Sequence, residues 1–499
     1  MSREIAQSIA RNTGVMMVSQ VITWTSSFVL MLFLPRYLGS EEYGRLYLAI
    51  SIAMIAQMVI EYGGPYFLAK EVSRSRDGAP RLLSDTVGIR VLMWVIAGTA
   101  LVGFSFAAGY PGPVLALIVI LIVAKVWECA GKALSGCFQG FELMQYPALG
   151  GIAERFCVAL VGVAALLMGA HAVVIALVMA LSSLLNFGIL AAFARRIVAR
   201  IPWPRWGSMR ELLKTNLPYF LWSLFGVVYY RIDAVMLSLM VPGVVVGWYG
   251  AAYRFFDVLM FLPSIFSTAV LPVLSRLSVG DTKSLARTTR NSIDFILLAA
   301  MPICVFVFFS SHEIIDLFFG SEGYGQAEVL LKIFAPGLVL VSIDSILAST
   351  LIASNLQRQW AGAAFVAMLF NPLANVFLIP FAQSHFGNGG IGAAIATLMT
   401  EFLVMCIAIY LTPGEIFEGA SIGLPLKGLA ASLVMSCFCW IFERSGVHFL
   451  LWGGAGLLLY GVSLILFGAI RRTDLAFVKY SLIPGKWKNT SAATRGVPS

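Results

Sequence analysis

TGVMMVSQVITWTSSFVLMLFL, Thr13 to Leu34, decides the fold class: these 22 consecutive residues carry no charge. A helix needs about 20 apolar residues to cross the hydrocarbon core of a bilayer. Leu34 to Gly44, LPRYLGSEEYG, follows as a short turn-rich connector. A second apolar run extends from Tyr43 to Leu68 and ends in Lys70, Glu71, Arg74, Arg76 and Asp77. The chain therefore crosses, turns at Gly39 and Gly44, returns, and meets a basic loop.

The same pattern recurs along the rest of the 499 residues, in about fourteen apolar runs joined by mostly short connections. The chain is 59% apolar and 12% charged with a mean hydropathy of +0.88. Soluble domains carry about 25% charged residues, so a soluble globular protein is excluded. The first run is longer than the apolar stretch of a signal peptide and has no small-residue cleavage pattern, so it is expected to stay as a span. Placing the N-terminus inside puts 24 Lys and Arg on the cytoplasmic side and leaves only Arg36, Arg45 and Arg444 opposite. That bias sets orientation in the inner membrane, with both termini cytoplasmic and an even number of spans. It also accounts for the net charge of +9 without nucleic acid. The seven cysteines sit in or beside apolar runs with no metal spacing, and read as small buried hydrophobes.

The longest polar connection follows the sixth run and contains Pro202-Trp203-Pro204-Arg205-Trp206, a composition suited to a membrane interface. On either side there is weak internal similarity: EEYGRLYLA (Glu41–Ala49) aligns with VVVGWYGAA (Val244–Ala252), setting Gly44 opposite Gly247. Repeated halves are common in transporters. The expected division is a six-helix bundle over 1–197, a basic cytoplasmic linker over 198–215, a second six-helix bundle over 216–412, two further spans over 413–470, and a basic cytoplasmic tail over 471–499.

The string LPRYLGSEEYGRLYLA (Leu34–Ala49), with Tyr62-Gly63 and EVSRSRD (Glu71–Asp77), resembles the start of the Wzx-type polysaccharide exporters of the MOP superfamily. The segment with Asn371-Pro372, Asn375, Ile379-Pro380 and Gly390-Ile-Gly-Ala-Ala-Ile-Ala-Thr397 is similar to the same superfamily. The resemblance implies an all-α flippase fold and no cofactor. Its substrate would be a polyprenyl-pyrophosphate oligosaccharide for surface polysaccharide, such as the O-antigen of lipopolysaccharide. The bilayer, a polysaccharide polymerase and chain-length machinery would be its partners. Lipid II flippases and MATE-like cation or drug antiporters of the superfamily are the alternatives. MATE antiporters carry an acid on their first helix, and Thr13–Leu34 has none.

Charges inside spans are the functional candidates, because each costs about 2.5 kcal/mol or more at the bilayer centre. Arg90, Lys132, Asp294 and Lys332 lie close enough to helix ends for snorkelling. Glu61 is one turn from Gln57 on one face. In the hairpin of the seventh and eighth runs, Asp233 and Arg254 share a depth, as Arg231 and Asp257 do more loosely; Lys125 and Glu128 stand similarly opposite Glu154 and Arg155. These pairs are either structural bridges or a cavity whose cations release their acids and take phosphate, a task the arginine fork suits. The resemblance, with its cationic central cavity, makes Arg155, Arg231 and Arg254 pyrophosphate candidates, with Lys125 and Arg90 behind them. Ion coupling would fall to Asp233, Asp257, Glu128, Glu154, Glu61, Asp344 or Glu401. Gln20 and Trp24 on the first run and Tyr219, Trp222, Tyr229 and Tyr230 on the seventh are glycan candidates, the aromatics serving otherwise as packing or interface anchors. An enzyme is disfavoured: the longest outer connection, Ser310–Glu328, holds only Glu313, Asp316 and Glu322 inside it, at spacings that form no metal site.

Overall fold

Backbone in hydrocarbon has no water to bond, so a spanning segment must satisfy its own N–H and C=O groups. All regular structure among the described residues is accordingly helical. The computed structural model describes residues 3–63, 65–197, 201–279, 281–418 and 423–469. The expected tail 471–499, Arg200, and the side chains of Arg3, Arg11, Tyr219 and Trp222 lie outside the described residues. In chain order the helices are α1 (Arg3–Glu61), α2 (Pro65–Arg74), α3 (Ala79–Ala107), α4 (Gly112–Gly140), α5 (Gln145–Leu167), α6 (Ala172–Ile197), α7 (Trp206–Met240), α8 (Gly243–Leu259) and α9 (Phe261–Leu277). They continue as α10 (Thr282–Phe309), α11 (Ser311–Phe319), α12 (Ser321–Tyr324), α13 (Ala327–Phe334), α14 (Gly337–Ala353), α15 (Gln357–Phe386), α16 (Gly389–Leu411), α17 (Gly423–Phe442) and α18 (Phe449–Leu466).

Thirteen stretches among the described residues are long and apolar enough to cross a membrane. The first, Gly14–Glu61, has 48 residues, about 72 Å of helix against a hydrocarbon core of roughly 30 Å. It is two spans, because the backbone leaves the helix at Gly39 with φ 73° and ψ 165°. Only glycine adopts such a conformation readily. The chain is thus an all-α polytopic membrane protein, with fourteen candidate spans among the described residues. Gly44, expected as a second turn, is helical instead.

Two expected loops are also helix. The basic segment after the second span is α2, whose Leu68 and Val72, one turn apart, are buried against Ala79, Leu83, Ala133 and Cys137. Burial of that face outweighs the local charge. The connection 198–215 gives way to α7 at Trp206, and its start is capped from another helix. The Asp85 carboxylate of α3 accepts the Arg205 backbone N–H at 2.8 Å and the Ser208 hydroxyl. A carboxylate at a helix N-terminus satisfies donors that have no partner within the helix.

Packing divides the chain into two compact units rather than along chain order. The first holds Met1–Leu259, Ile314–Gly337 and Asn355–Leu411; the second holds Met260–Glu313, Leu338–Ser354 and Thr412–Ser499. In the second, Leu274, Leu285, Ala286, Ala353 and Ile416 form a core, and the Tyr460 hydroxyl donates to the Leu298 carbonyl at 2.9 Å.

Within the first unit, the second arm of α1 lies directly on α8 at the ends poor in Lys and Arg. A methyl at Gly247 would overlap the Ser40 carbonyl, and one at Gly44 would lie 2.8 Å from the Gly247 nitrogen. At Gly250 it would lie 2.6 Å from the Tyr47 ring. The Tyr324 hydroxyl closes over this contact by donating to the Pro35 carbonyl at 3.1 Å, and Trp248 Nε1 donates to the Gly323 carbonyl at 2.6 Å. The repeat glycines Gly44 and Gly247 therefore meet each other across the seal. Holding it against an added methyl would cost about 1–3 kcal/mol. In a cysteine-free background, Ser40→Cys should react faster with a membrane-impermeant thiol reagent once Gly247→Ala is introduced; equal rates would mean that the seal survives the methyl.

Candidate functional site

A charge in a low-dielectric interior must find partners, and three groups in the first unit do so differently. On α1 and α4 the polar side chains close a ring. Gln57 Nε2 donates to Glu61 at 2.8 Å, and Lys132 Nζ reaches the same carboxylate at 2.6 Å. Lys132 also meets Glu128 at 3.4 Å, Lys125 meets the other Glu128 oxygen at 2.5 Å, and Lys125 returns to Gln57 Oε1 at 2.7 Å. Spacings of three and four place Lys125, Glu128 and Lys132 along one stripe of α4, opposite Gln57 and Glu61 on α1. Two cations and two anions balance.

Lys132 and Arg90 do not snorkel. Lys132 is committed to the ring, and Arg90 is buried, donating to the Cys129 carbonyl while its Nε has no partner among the described residues. Lys332 pairs with Glu328 at 2.6 Å. The expected opposition of Lys125 and Glu128 to Glu154 and Arg155 is not formed by contact. Glu154 accepts from Asn186 at 2.7 Å, and Arg155 is exposed without an ion pair among the described residues. Adjacent helical residues point about 100° apart, so the two could not face one target together.

The second group has a surplus of positive charge. Arg231 Nη2 of α7 lies 3.2 Å from Asp257 Oδ2, and Arg254 Nη1 of α8 lies 3.8 Å from the same atom. The Arg231 guanidinium also sits 5.3 Å from the Tyr253 ring centre. One carboxylate is thus shared by two arginines, and Arg254 keeps 40% of its side chain exposed.

The third group surrounds Asp233, which does not pair with Arg254 as their shared depth suggested. Asp233 is two residues from Arg231, about 200° around the helix, and faces away. Its buried carboxylate accepts from the Tyr249 hydroxyl at 2.7 Å, the Thr397 hydroxyl at 2.8 Å and Asn375 Nδ2 at 2.6 Å. Asn375 Nδ2 also donates to Asn371 Oδ1 at 2.9 Å, while Asn375 Oδ1 has no partner among the described residues. One turn along the same two helices, the Tyr229 hydroxyl donates to Glu401. Tyr229 and Asp233 on α7 thus oppose Glu401 and Thr397 on α16 as two rungs. Asn371, Asn375 and Thr397 escaped notice as site residues because neutral side chains raise no charge signal. The spacing of four between Asn371 and Asn375 within an apolar span was the available clue.

Tyr229 is buried against Tyr230, with ring centres 4.2 Å apart, and so cannot stack on a sugar. Gln20 and Trp24 are exposed one turn apart on α1. Asp344 is buried in the second unit.

Residues 9–278 match the family described as polysaccharide biosynthesis protein, and residues 218–377 match the MatE family. The chain is 22% identical to stage V sporulation protein B of Bacillus subtilis (strain 168), over 94% of its own length and 97% of that protein's. It is 24% identical to a probable low-salt glycan biosynthesis flippase of Haloferax volcanii, over 79% and 81% of the two lengths. Its fold is similar to that of the lipid II flippase MurJ in an inward closed conformation, with a TM-score of 0.72 and 16% identity over 94% of this chain and all of that one. An inward-facing MATE transporter of the MOP superfamily is similar with a TM-score of 0.63 and 14% identity, over 78% and 95% of the chains.

Glu61→Gln and Lys132→Gln should each lower the melting temperature in detergent, and the double substitution should cost less than the sum. The expected coupling is about 0.5–3 kcal/mol. Additive losses would show that the ring acts through packing alone.

Proposed function

Because this chain belongs to the polysaccharide biosynthesis protein family, we propose that it flips polyprenyl-pyrophosphate oligosaccharides from the cytoplasmic to the outer leaflet for surface polysaccharide synthesis. The observation that carries this reading is the pair of arginines on Asp257. Arg231 and Arg254 share one carboxylate and hold one positive charge in excess, inside a membrane-spanning unit. A pyrophosphate arriving there replaces a single carboxylate with an anion of higher charge and more oxygens, and both guanidinium forks can engage it. Arg155, exposed and without an ion pair among the described residues, is the next cation available to it; Lys125 and Arg90 stand behind, already engaged. Alternating access between the chain-order halves 1–197 and 216–412 would open the seal of Gly44 on Gly247 after loading. The glycan would meet the exposed face of Gln20 and Trp24.

Cation coupling fits Asp233 best. Its carboxylate is buried among neutral donors, with the unpartnered Asn375 Oδ1 beside it, so a proton or a small monovalent cation would neutralise it. Asp233 shares α7 with Arg231, so a shift of that helix on cation binding moves the arginine pair as well.

Two other readings have specific support. The fold likeness to MurJ favours lipid II, which presents the same pyrophosphate with a different glycan. The MatE match over residues 218–377 favours export of small organic cations. Against the latter, the exposed charge at the candidate site is arginine.

Proteoliposomes containing only this protein should flip a labelled polyprenyl-pyrophosphate oligosaccharide. Arg231→Ala and Arg254→Ala should each abolish it, a loss of about 1.5–3 kcal/mol per charged hydrogen bond. Arg→Lys should recover little, because an ammonium lacks the bidentate fork. Transport of lipid II but not of the oligosaccharide would reassign the substrate, and transport of organic cations alone would favour the antiporter. Asp233→Asn should remove the dependence of the rate on an imposed proton or sodium gradient; an unchanged gradient response would eliminate Asp233 as the coupling group.

A further inference from the structure

At the ends rich in Lys and Arg, a cavity of about 670 Å³ opens between α3, α4, α6 and the start of α7. Drug-sized ligand sites span roughly 300–1,000 Å³, so the space suffices for a molecule. Its walls are apolar: Leu83, Val87 and Val91 of α3, Leu134 of α4, and Phe187 and Ala191 of α6. Pro202-Trp203-Pro204 forms the roof, and Arg195 supplies the charged side chain of the lining. None of the residues in the three polar groups described above lines it.

The roof is held in place. Ser84 Oγ donates to the Pro202 carbonyl at 2.5 Å, and Arg81 Nη1 donates to the Trp203 carbonyl at 3.2 Å. Gly88 lets Pro204 lie on α3, since a methyl there would come within 2.8 Å of the proline ring. The chamber is therefore built into the fold and is more than a gap beneath a loose connection. Its wall runs from Leu83 to Val91, which is about 6–18 Å along α3 from Ala79. At that depth a membrane offers acyl chains on the inner side and head groups on the outer. The mouth matches the latter: Arg195 and Arg196 end α6 and are exposed, Arg205 follows the roof, and Trp203 and Trp206 are exposed as interfacial indoles.

We propose that this cavity binds one acyl chain of an anionic phospholipid, with the lipid phosphate held at Arg195. Apolar walls exclude a polar occupant, and the cationic mouth prefers a head group of net negative charge over a zwitterion. The cavity touches α4 through Ala130 and Leu134. These lie about 200° around the helix from Glu128 and Lys132. The lipid and the charge ring thus grip opposite faces of the same helix, so occupancy would fix α4 in the position that closes the ring. The lipid is a resident ligand and is separate from any transported molecule.

The test uses the full-length protein in nanodiscs and a phosphatidylglycerol with a photoactivatable diazirine at mid-chain. An otherwise identical phosphatidylcholine serves as the control. Crosslinked peptides should map to residues 83–91 and 187–195 with the acidic lipid, well above the choline lipid. Arg195→Gln should lower that labelling about fivefold, the effect of one surface cation on an anionic lipid. Ala191→Phe should abolish it, with melting temperature and elution profile confirming that the variant is folded. Equal labelling by the two head groups on the unaltered protein would reduce the contact to ordinary boundary lipid and overturn the proposal without reference to any variant. Label absent from those peptides, or insensitive to Ala191→Phe, would show that the cavity is not the site.

Discussion

A charge buried within the spans must be compensated without water, and that requirement organises three polar groups of the first unit. It is met in three ways. Glu61, Glu128, Lys125 and Lys132 cancel in a closed ring with Gln57. Asp233 is surrounded by hydroxyl and amide donors that stabilise it without cancelling its charge. Arg231 and Arg254 share Asp257 and are left one negative charge short. A balanced ring holds helices, a lone carboxylate invites a cation, and a cation surplus invites an anion. The chemistry on offer follows from which of the three balances is incomplete.

Helix geometry keeps these balances separate even where the chain brings them close. Arg231 and Asp233 are two residues apart on α7, which sends Arg231 to Asp257 of α8 and Asp233 to Tyr249 of α8 together with the donors of α15 and α16. The same arithmetic on α4 turns Lys125, Glu128 and Lys132 toward α1 and Ala130 and Leu134 toward the cavity. Two helices thus each carry separate tasks on opposite faces. A rigid movement of either is felt at both of its faces at once, since packed helices shift as bodies and do not deform continuously.

The seal of α1 on α8 adds the mechanical counterpart. Glycine-to-backbone approach brings two helices closer than any side chain permits, and it gains van der Waals contact without desolvating a polar group. Such an interface holds well when closed and leaves no buried charge behind when it separates. Gly44 and Gly247 meet each other directly, so one small-residue solution serves both sides of the same contact.

Hydrophobic run length was sufficient for the all-helical, membrane-spanning architecture, because burial in lipid is read residue by residue along one dimension. The kink at Gly39 was legible for the same local reason. The sequence by itself also identified Arg231, Arg254, Asp257, Asp233, Glu61 and Glu128 as exceptional, since a charge in an apolar run stands out without knowledge of its neighbours. Only the tertiary structure decided who compensates whom. Asp233 and Arg254 share a depth yet take different partners, Lys132 reaches Glu61 across 71 residues, and Asp85 caps a helix that begins 121 residues later. Neutral partners such as Asn375 and Thr397 carry no charge to mark them as site residues. Depth along a helix is a property of the sequence, whereas azimuth toward a partner is set by the packing of helices far apart in the chain.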